Sequence, residues 1–468
     1  TVTPLGTVLI PLALTLAIIR PRWLFPLMVF FAPFQDSAVI VSEGFNGFGV
    51  QPAYYVGIIW LIWLAINWAA KERIIVDREM VKRILPFTWF VAWAIFTGIL
   101  MPRLFEGTMI IYTPESYFDV LKPNRFQVTQ TLYLLFFYFL SIATALYCST
   151  EAHIISAFKS VVASGFFVVG YGIYQVCGYY YGLPLPTDWL HNNPSISHGY
   201  GQMILSLKRM SSVLGEPSFC ASHLMGTLGV ALGSILFPFS ERRSHKLLLV
   251  SLLILSLVGL ALTTSSTAYA AITFVVIIGA LLGIGKILVN LVKGRFRYSL
   301  RNPLLASVIV GAVVIYALLV VFGIGVTDVE EVIAAMKAVT IQKTTSESAS
   351  LRFAVDRQGL ELLFKSWGLG VGWGSNRCSS MILTLLSSVG VPGFCFFLMF
   401  VIGLVRGVIR APTKSKAARI ARATCLGWLF VLAAHTVAVS DFGLMYFWLM
   451  PGIVIGATSA AGTYAFSL

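Results

Sequence analysis

Runs of about twenty apolar residues recur along this chain, separated by short polar gaps, and each run is long enough to cross a hydrocarbon core of roughly 30 Å as a helix. Thirteen candidate spans are read: 5–20, 23–41, 52–70, 84–101, 127–148, 155–181, 217–239, 246–263, 267–292, 303–325, 380–405, 419–439 and 442–462. The runs are continuously apolar rather than alternating, which argues against a β-barrel. The pattern predicts an all-α, polytopic integral membrane protein with about 12–14 transmembrane helices, a single membrane domain over residues 1–468. The first span is expected to serve as its own targeting signal. No inverted internal repeat of the transporter kind is visible.

One gap differs from the rest. From Ser346 to Gly393 the chain carries charge and also reads as helical. Arg352, Asp356, Arg357, Glu361 and Lys365 stand at helix-compatible spacing. Leu351, Val355 and Leu362, with Phe353, Leu360, Phe364 and Trp367, supply an apolar covering. A glycine string follows (Gly368, Gly370, Gly372, Gly374), then Asn376 and Arg377, then the next span. Residues 326–379 are therefore expected to form a large, partly helical outer loop that carries part of the site.

Composition agrees with a membrane chain: 58% of the 468 residues are hydrophobic and 11% are charged. The net charge of +14 is distributed by side. Alternate gaps (20–22, 71–83, 149–159, 240–246, 293–301, 406–422) hold 21 Lys/Arg against five acids, while the opposite set holds 11 against 14. Short basic loops stay in the cytoplasm, so 42–51, 102–126, 182–216 and 326–379 are expected outside it. The basic excess thus reports topology and contact with anionic lipid, not nucleic acid. No Walker sequence is present, and the six scattered cysteines form neither a disulfide framework nor a CxxC metal site.

Candidate chemistry gathers in the outer gaps. In Lys208-Arg209-Met-Ser-Ser-Val-Leu-Gly-Glu216-Pro217-Ser218, Pro217 suits a first helical turn and Glu216 lies at its positive end. An arginine fork such as Arg209 binds phosphate or carboxylate bidentately, best where water is scarce. The plainer reading is a capping Glu216 and an Arg209 anchored to headgroups. Arg352–Asp356 and Arg357–Glu361 are i,i+4 pairs, so a solvated helix face is a second plain reading. The glycine string could bring backbone close to a ligand, or simply turn. His191 and His198 flank HNNPSISH; polar loop residues are favoured over a metal site, and no metal is expected. Tyr171 to Trp189 reads as an interfacial aromatic belt or a sugar-stacking platform.

Three segments together resemble the O-antigen ligase and polymerase superfamily: Arg209 through Ser218; LTTSSTAYAAI at 262–272; and Ser350-Leu-Arg352, GLGVGWGSNR and Gly390-Val-Pro-Gly393. Two departures stand out. Ser266-Thr267 occupies the place of a Ser-Arg pair, and Ser379-Ser380 that of the ligases' His-Asn pair. The missing histidine favours a polymerase over a ligase. The resemblance implies a bacterial inner-membrane enzyme with its site facing the periplasm, inverting and metal-independent, with no cofactor. Its partners would be undecaprenyl-diphosphate-linked oligosaccharide, a growing glycan acceptor, membrane lipids and a chain-length regulator. Arg209, Arg352 and Arg377 would bind diphosphate, and Glu216, with Asp356 behind it, would act as base. Asn376, Arg357 and His198 would bind substrate. Transfer to lipid A-core is the alternative within the family, and lipid-linked oligosaccharide transport the alternative outside it.

Overall fold

The computed structural model describes residues 1–42, 47–70, 77–111, 118–196, 198–204, 207–273, 275–277 and 347–465. The expected span 303–325, most of 267–292 and the start of the 326–379 loop lie outside the described residues. What is described is largely helical: α1 Pro4–Ile19, α2 Leu24–Phe31, α3 Pro52–Ala69, α4 Arg78–Leu104, α5 Arg125–Tyr147, α6 Glu151–Tyr181, α7 Thr187–Leu190, α8 Pro217–Leu236, α9 Arg243–Leu262, α10 Glu347–Lys365, α11 Met381–Arg410, α12 Lys416–Ala438 and α13 Met445–Ala465. Nine of the described helices are long and apolar enough to cross a membrane.

Helix starts follow ordinary capping chemistry. Asp77, Thr150, Ser380 and Ser415 each accept a hydrogen bond from the first turn of their helix, and Asn124 with Gln127 forms a reciprocal capping box. α6 ends on Gly182 in the left-handed region.

Three helices form the centre. The apolar stretch of α13 is 94% buried inside the protein, that of α8 78% and that of α12 72%, against 33–44% for the other six long helices. α8 and α12 cross at glycines. A Cβ on Gly229 would fall 2.7 Å from the Cα of Gly427, so the two backbones meet with no side chain between them. Trp428 and Trp448 close the core, each donating its indole N–H to a backbone carbonyl, Phe447 O at 2.9 Å and Phe442 O at 2.7 Å.

The expected span 23–41 is corrected. Only Leu24–Phe31 is helical, because Pro33 withholds a backbone donor and Gln35-Asp36-Ser37 follow. The chain nevertheless returns to the starting end of α1 in extended form, where Thr3 N bonds Val39 O at 3.1 Å. Gln35, Asp36 and Ser37 are buried, and non-helical backbone at such depth is tolerated where protein surrounds it. The all-α expectation also needs correction in the loops, where three antiparallel hairpins stand: β1 Ile40–Ser42 with β2 Phe48–Val50, β3 Met109–Ile111 with β4 Phe118–Val120, and β5 Met203–Ile204 with β6 Leu207–Lys208.

Among the described residues, gaps of the same charge set contact one another at opposite ends of the bundle. At one end Gly49 N bonds Ser195 Oγ, Ile111 N bonds Gln358 Oε1 and Gln127 Nε2 bonds Ser375 Oγ. At the other, Lys416 pairs with Glu151 and Arg419 donates to Pro238 O. The first, acid-balanced end carries every candidate site residue.

Candidate functional site

Arg209 follows β6 directly, and its backbone N–H extends the hairpin to Gln202 O at 3.2 Å. Its guanidinium is held by neutral acceptors: Gln202 Oε1 at 3.2 Å, Thr263 O at 3.3 Å and Thr264 O at 3.5 Å. Met210 N donates to Leu262 O at 2.9 Å, so the first two segments of the resemblance lie against each other. Burial pushes the Arg209 pKa down, and the nearby Glu216 carboxylate pushes it back up. Tyr269 and Arg352 also act on it electrostatically, Arg352 as a like charge that lowers it further.

The structure therefore brings Arg209, Glu216 and Arg352 into one electrostatic neighbourhood. Among the described residues no carboxylate lies within ion-pair distance of either arginine. The expected Arg352–Asp356 pair is not formed; the Asp356 carboxylate takes Ser379 instead. Glu216 occupies the N-cap position of α8, but its side chain makes no cap bond; it accepts from Ser218 Oγ at 3.0 Å instead. Lys208, also on β6, donates to Tyr200 O and lies 5.1 Å from the ring centroid of Tyr179, and its burial lowers its pKa. Tyr179, Tyr180, Tyr181 and Trp189 are exposed beside it.

The glycine string has a different task from the expected one. α11 is kinked at Gly390 (φ 67°), and Pro392 has no N–H for Ser388 O. Val391 N turns away to Gly368 O at 2.8 Å, which frees Ser387 O as well. Val371 N and Gly372 N take those two carbonyls, each at 2.8 Å. The string approaches a broken helix, not an open space. Gly370 has φ 81°, and a Cβ there would fall 2.5 Å from Gly390 N and Ser388 O. Asn376 is buried with the string: its amide donates to Ser387 Oγ at 2.9 Å, while its Oδ1 has no partner.

Asp356 is tied to the same loop. It accepts from Ser379 N at 2.7 Å on Oδ1 and from Ser379 Oγ on Oδ2. Cys378 beside it is pushed up to about 11, chiefly by burial. Arg357 pairs with Glu361 at 3.1 Å on an outward face, with side chains 82% and 50% exposed. Arg377 is exposed and donates to Ser440 Oγ at 3.1 Å, bridging to the α12–α13 connection. It is not among the groups whose charge reaches Arg209. The covering of α10 divides. Val355 and Leu362 are buried, whereas Phe353, Phe364 and Trp367 are exposed.

Sequence reasoning missed one residue. Asp36 is fully buried, and each of its oxygens meets a histidine at 2.5 Å: Oδ2 takes His191 Nδ1 and Oδ1 takes His198 Nδ1. The HNNPSISH segment wraps residues 35–38 through Asn193 Nδ2 to Gln35 O (2.7 Å), Asn192 Oδ1 to Ala38 N (2.7 Å) and Ser37 Oγ to Leu190 O (2.9 Å). The available signal was a lone carboxylate in an apolar run, which must find a partner when buried. This cluster adjoins the arginines: Asp36 N donates to Val213 O at 3.0 Å, and a Cβ on Gly199 would lie 3.1 Å from Glu216 Cα. Among the described residues no group of three or more His, Cys, Asp or Glu is arranged to hold a metal ion. No family model matches the chain, and no curated protein matches it.

Proposed function

We propose that the chain is a membrane-embedded glycosyltransferase that polymerises undecaprenyl-diphosphate-linked oligosaccharide at the outer face of a bacterial inner membrane. The observation that carries this reading is that Arg352 acts on Arg209 as a like charge while, among the described residues, no carboxylate lies in ion-pair reach of either. Two like charges drawn together in a partly buried site repel, and a bound dianion relieves that repulsion. A diphosphate has the charge and the paired oxygens that two planar guanidinium forks recognise.

In the reaction the anomeric C–O bond to the diphosphate breaks while an acceptor hydroxyl attacks. Negative charge grows on the departing diphosphate, and Arg209, already fixed by neutral acceptors, stabilises it without reorganising, with Arg352 adding its charge. Glu216 places a negative charge near Arg209 and partly offsets the effect of its burial. The exposed tyrosines around Lys208 offer flat faces for sugar rings. The alternation of basic and acid-balanced ends supports a periplasmic placement by the positive-inside rule.

The test uses purified protein in lipid vesicles supplied with undecaprenyl-diphosphate oligosaccharide, its products resolved by size. A ladder of multiples is the expected result. A single transfer, seen only when lipid A-core is added, replaces the polymerase with a ligase. Donor carried across the bilayer with no new glycosidic bond overturns the enzyme reading in favour of a transporter.

A further inference from the structure

Two histidines share one carboxylate, and their surroundings differ. An ionised carboxylate only accepts hydrogen bonds, so the nitrogen facing it carries the proton on both rings, leaving each neutral ring a lone pair on Nε2. In His191 that lone pair is occupied, since Tyr171 OH lies 2.8 Å from Nε2 and the side chain is fully buried. The His198 side chain is 32% exposed, and no group among the described residues bonds its Nε2. One ring is locked into the fold; the other, partly exposed, keeps an Nε2 with no partner among the described residues.

The competing acids are less suited to accept a proton. Both oxygens of Asp356 are occupied by Ser379. Glu216 accepts from Ser218 and supports the charge of Arg209. His198 stands eleven residues before Arg209, and its chain neighbours touch the Arg209 strip. Gly199 packs on Gly215 and Glu216, and Gln202, four residues on, is the Arg209 partner.

We propose that His198 is the base of the transfer, with Asp36 as its positioning residue; this rests on the glycosyltransferase reading above. The acceptor O–H proton passes to His198 Nε2 as the acceptor oxygen bonds the anomeric carbon. The anomeric C–O bond breaks, and its electron pair leaves with undecaprenyl diphosphate. Asp36 then faces an imidazolium, the arrangement that favours proton uptake. The charged and titratable groups around the ring are Asp36, then His191 and Tyr171 beyond it, Tyr200 with Lys208 on its carbonyl, and Glu216 across Gly199.

The experiment measures donor binding and transfer rate against pH in vesicles for wild type, His198→Gln, His191→Gln, Asp36→Asn and Glu216→Gln. Wild-type transfer falls on acidification, because a protonated base cannot accept. In His198→Gln the rate drops by roughly 100-fold or more and that acid limb disappears, while donor binding is retained. Asp36→Asn removes the carboxylate that orients the ring, so transfer falls while donor binding is retained. His191→Gln lowers stability and leaves the limb in place, which keeps the assignment testable should Asp36→Asn not fold. A near-normal rate with the limb intact in His198→Gln overturns the proposal, most clearly if Glu216→Gln is the variant that loses the limb. If wild type binds donor but transfers nothing, the glycosyltransferase reading itself fails, and the assignment with it.

Discussion

The glycine string and the Arg209 strip lie at the same end of the bundle and look equally eligible in sequence, yet their polar groups end in opposite situations. In the string, Val371 N and Gly372 N serve carbonyls freed by the kink of α11, Asp356 is closed by Ser379, and the Asn376 amide nitrogen turns to Ser387, its buried Oδ1 alone lacking a partner in this set. The strip leaves charge open. Among the described residues, Arg209 is held by neutral oxygens, Arg352 has no carboxylate in ion-pair reach, and one nitrogen of His198 has no partner. Polar residues whose bonding capacity is satisfied by their own scaffold make structure; those held in place but left unsatisfied are available to a ligand.

The sharpest way to break this comparison is to exchange the forks. Arg209→Lys and Arg352→Lys keep the charge but lose bidentate geometry, and each is expected to slow transfer by about 100-fold or more. Near-normal rates in both would defeat the site. Next comes Gly370→Ala, in the region assigned to structure. Its left-handed φ alone costs about 1–3 kcal/mol for a residue with a Cβ, and the 2.5 Å approach to Gly390 adds to it. The expected result is a lower unfolding temperature in detergent, with donor affinity unchanged in the protein that stays folded. A smaller effect follows for Asp356→Asn, which keeps one acceptor for Ser379 and should cost about 1 kcal/mol while transfer stays close to wild type. Loss of transfer out of proportion to stability would return Asp356 to the site. Arg357→Ala should change least, within about 0.5 kcal/mol, since its pair with Glu361 is solvent-exposed; a clear loss of transfer would restore it as a substrate contact.

Hydrophobic pattern made most of the fold legible, because long apolar runs leave few alternatives to helices. The Arg20–Arg22 region and the 23–41 run were the exception. Apolar content continued there, but Pro33 and Asp36 ended the helix, and the extended segment is held by residues 191–193, more than a hundred positions later. Nothing local announces such pairing. The hairpins were missed for a related reason: their strands are two or three residues long, too short for a period of two to show. Charge alternation was legible and grouped the loops as the structure does. Among candidate site residues, Arg209, Glu216 and Arg352 were singled out by type and position, and the structure brings them into one electrostatic neighbourhood. Whether a polar group is open or closed depends on partners distant in sequence, as Ser379 is from Asp356 and Asp36 from His198.

The most direct measurement of the central claim is a double-mutant cycle on donor binding: wild type, Arg209→Lys, Arg352→Lys and the double variant, with undecaprenyl-diphosphate oligosaccharide in vesicles. If both arginines hold one diphosphate, the second substitution costs much less once the first is made, and the coupling falls in the range of about 0.5–3 kcal/mol seen for residues sharing a partner. Losses that simply add, or that are absent, would mean the two guanidiniums do not serve one ligand.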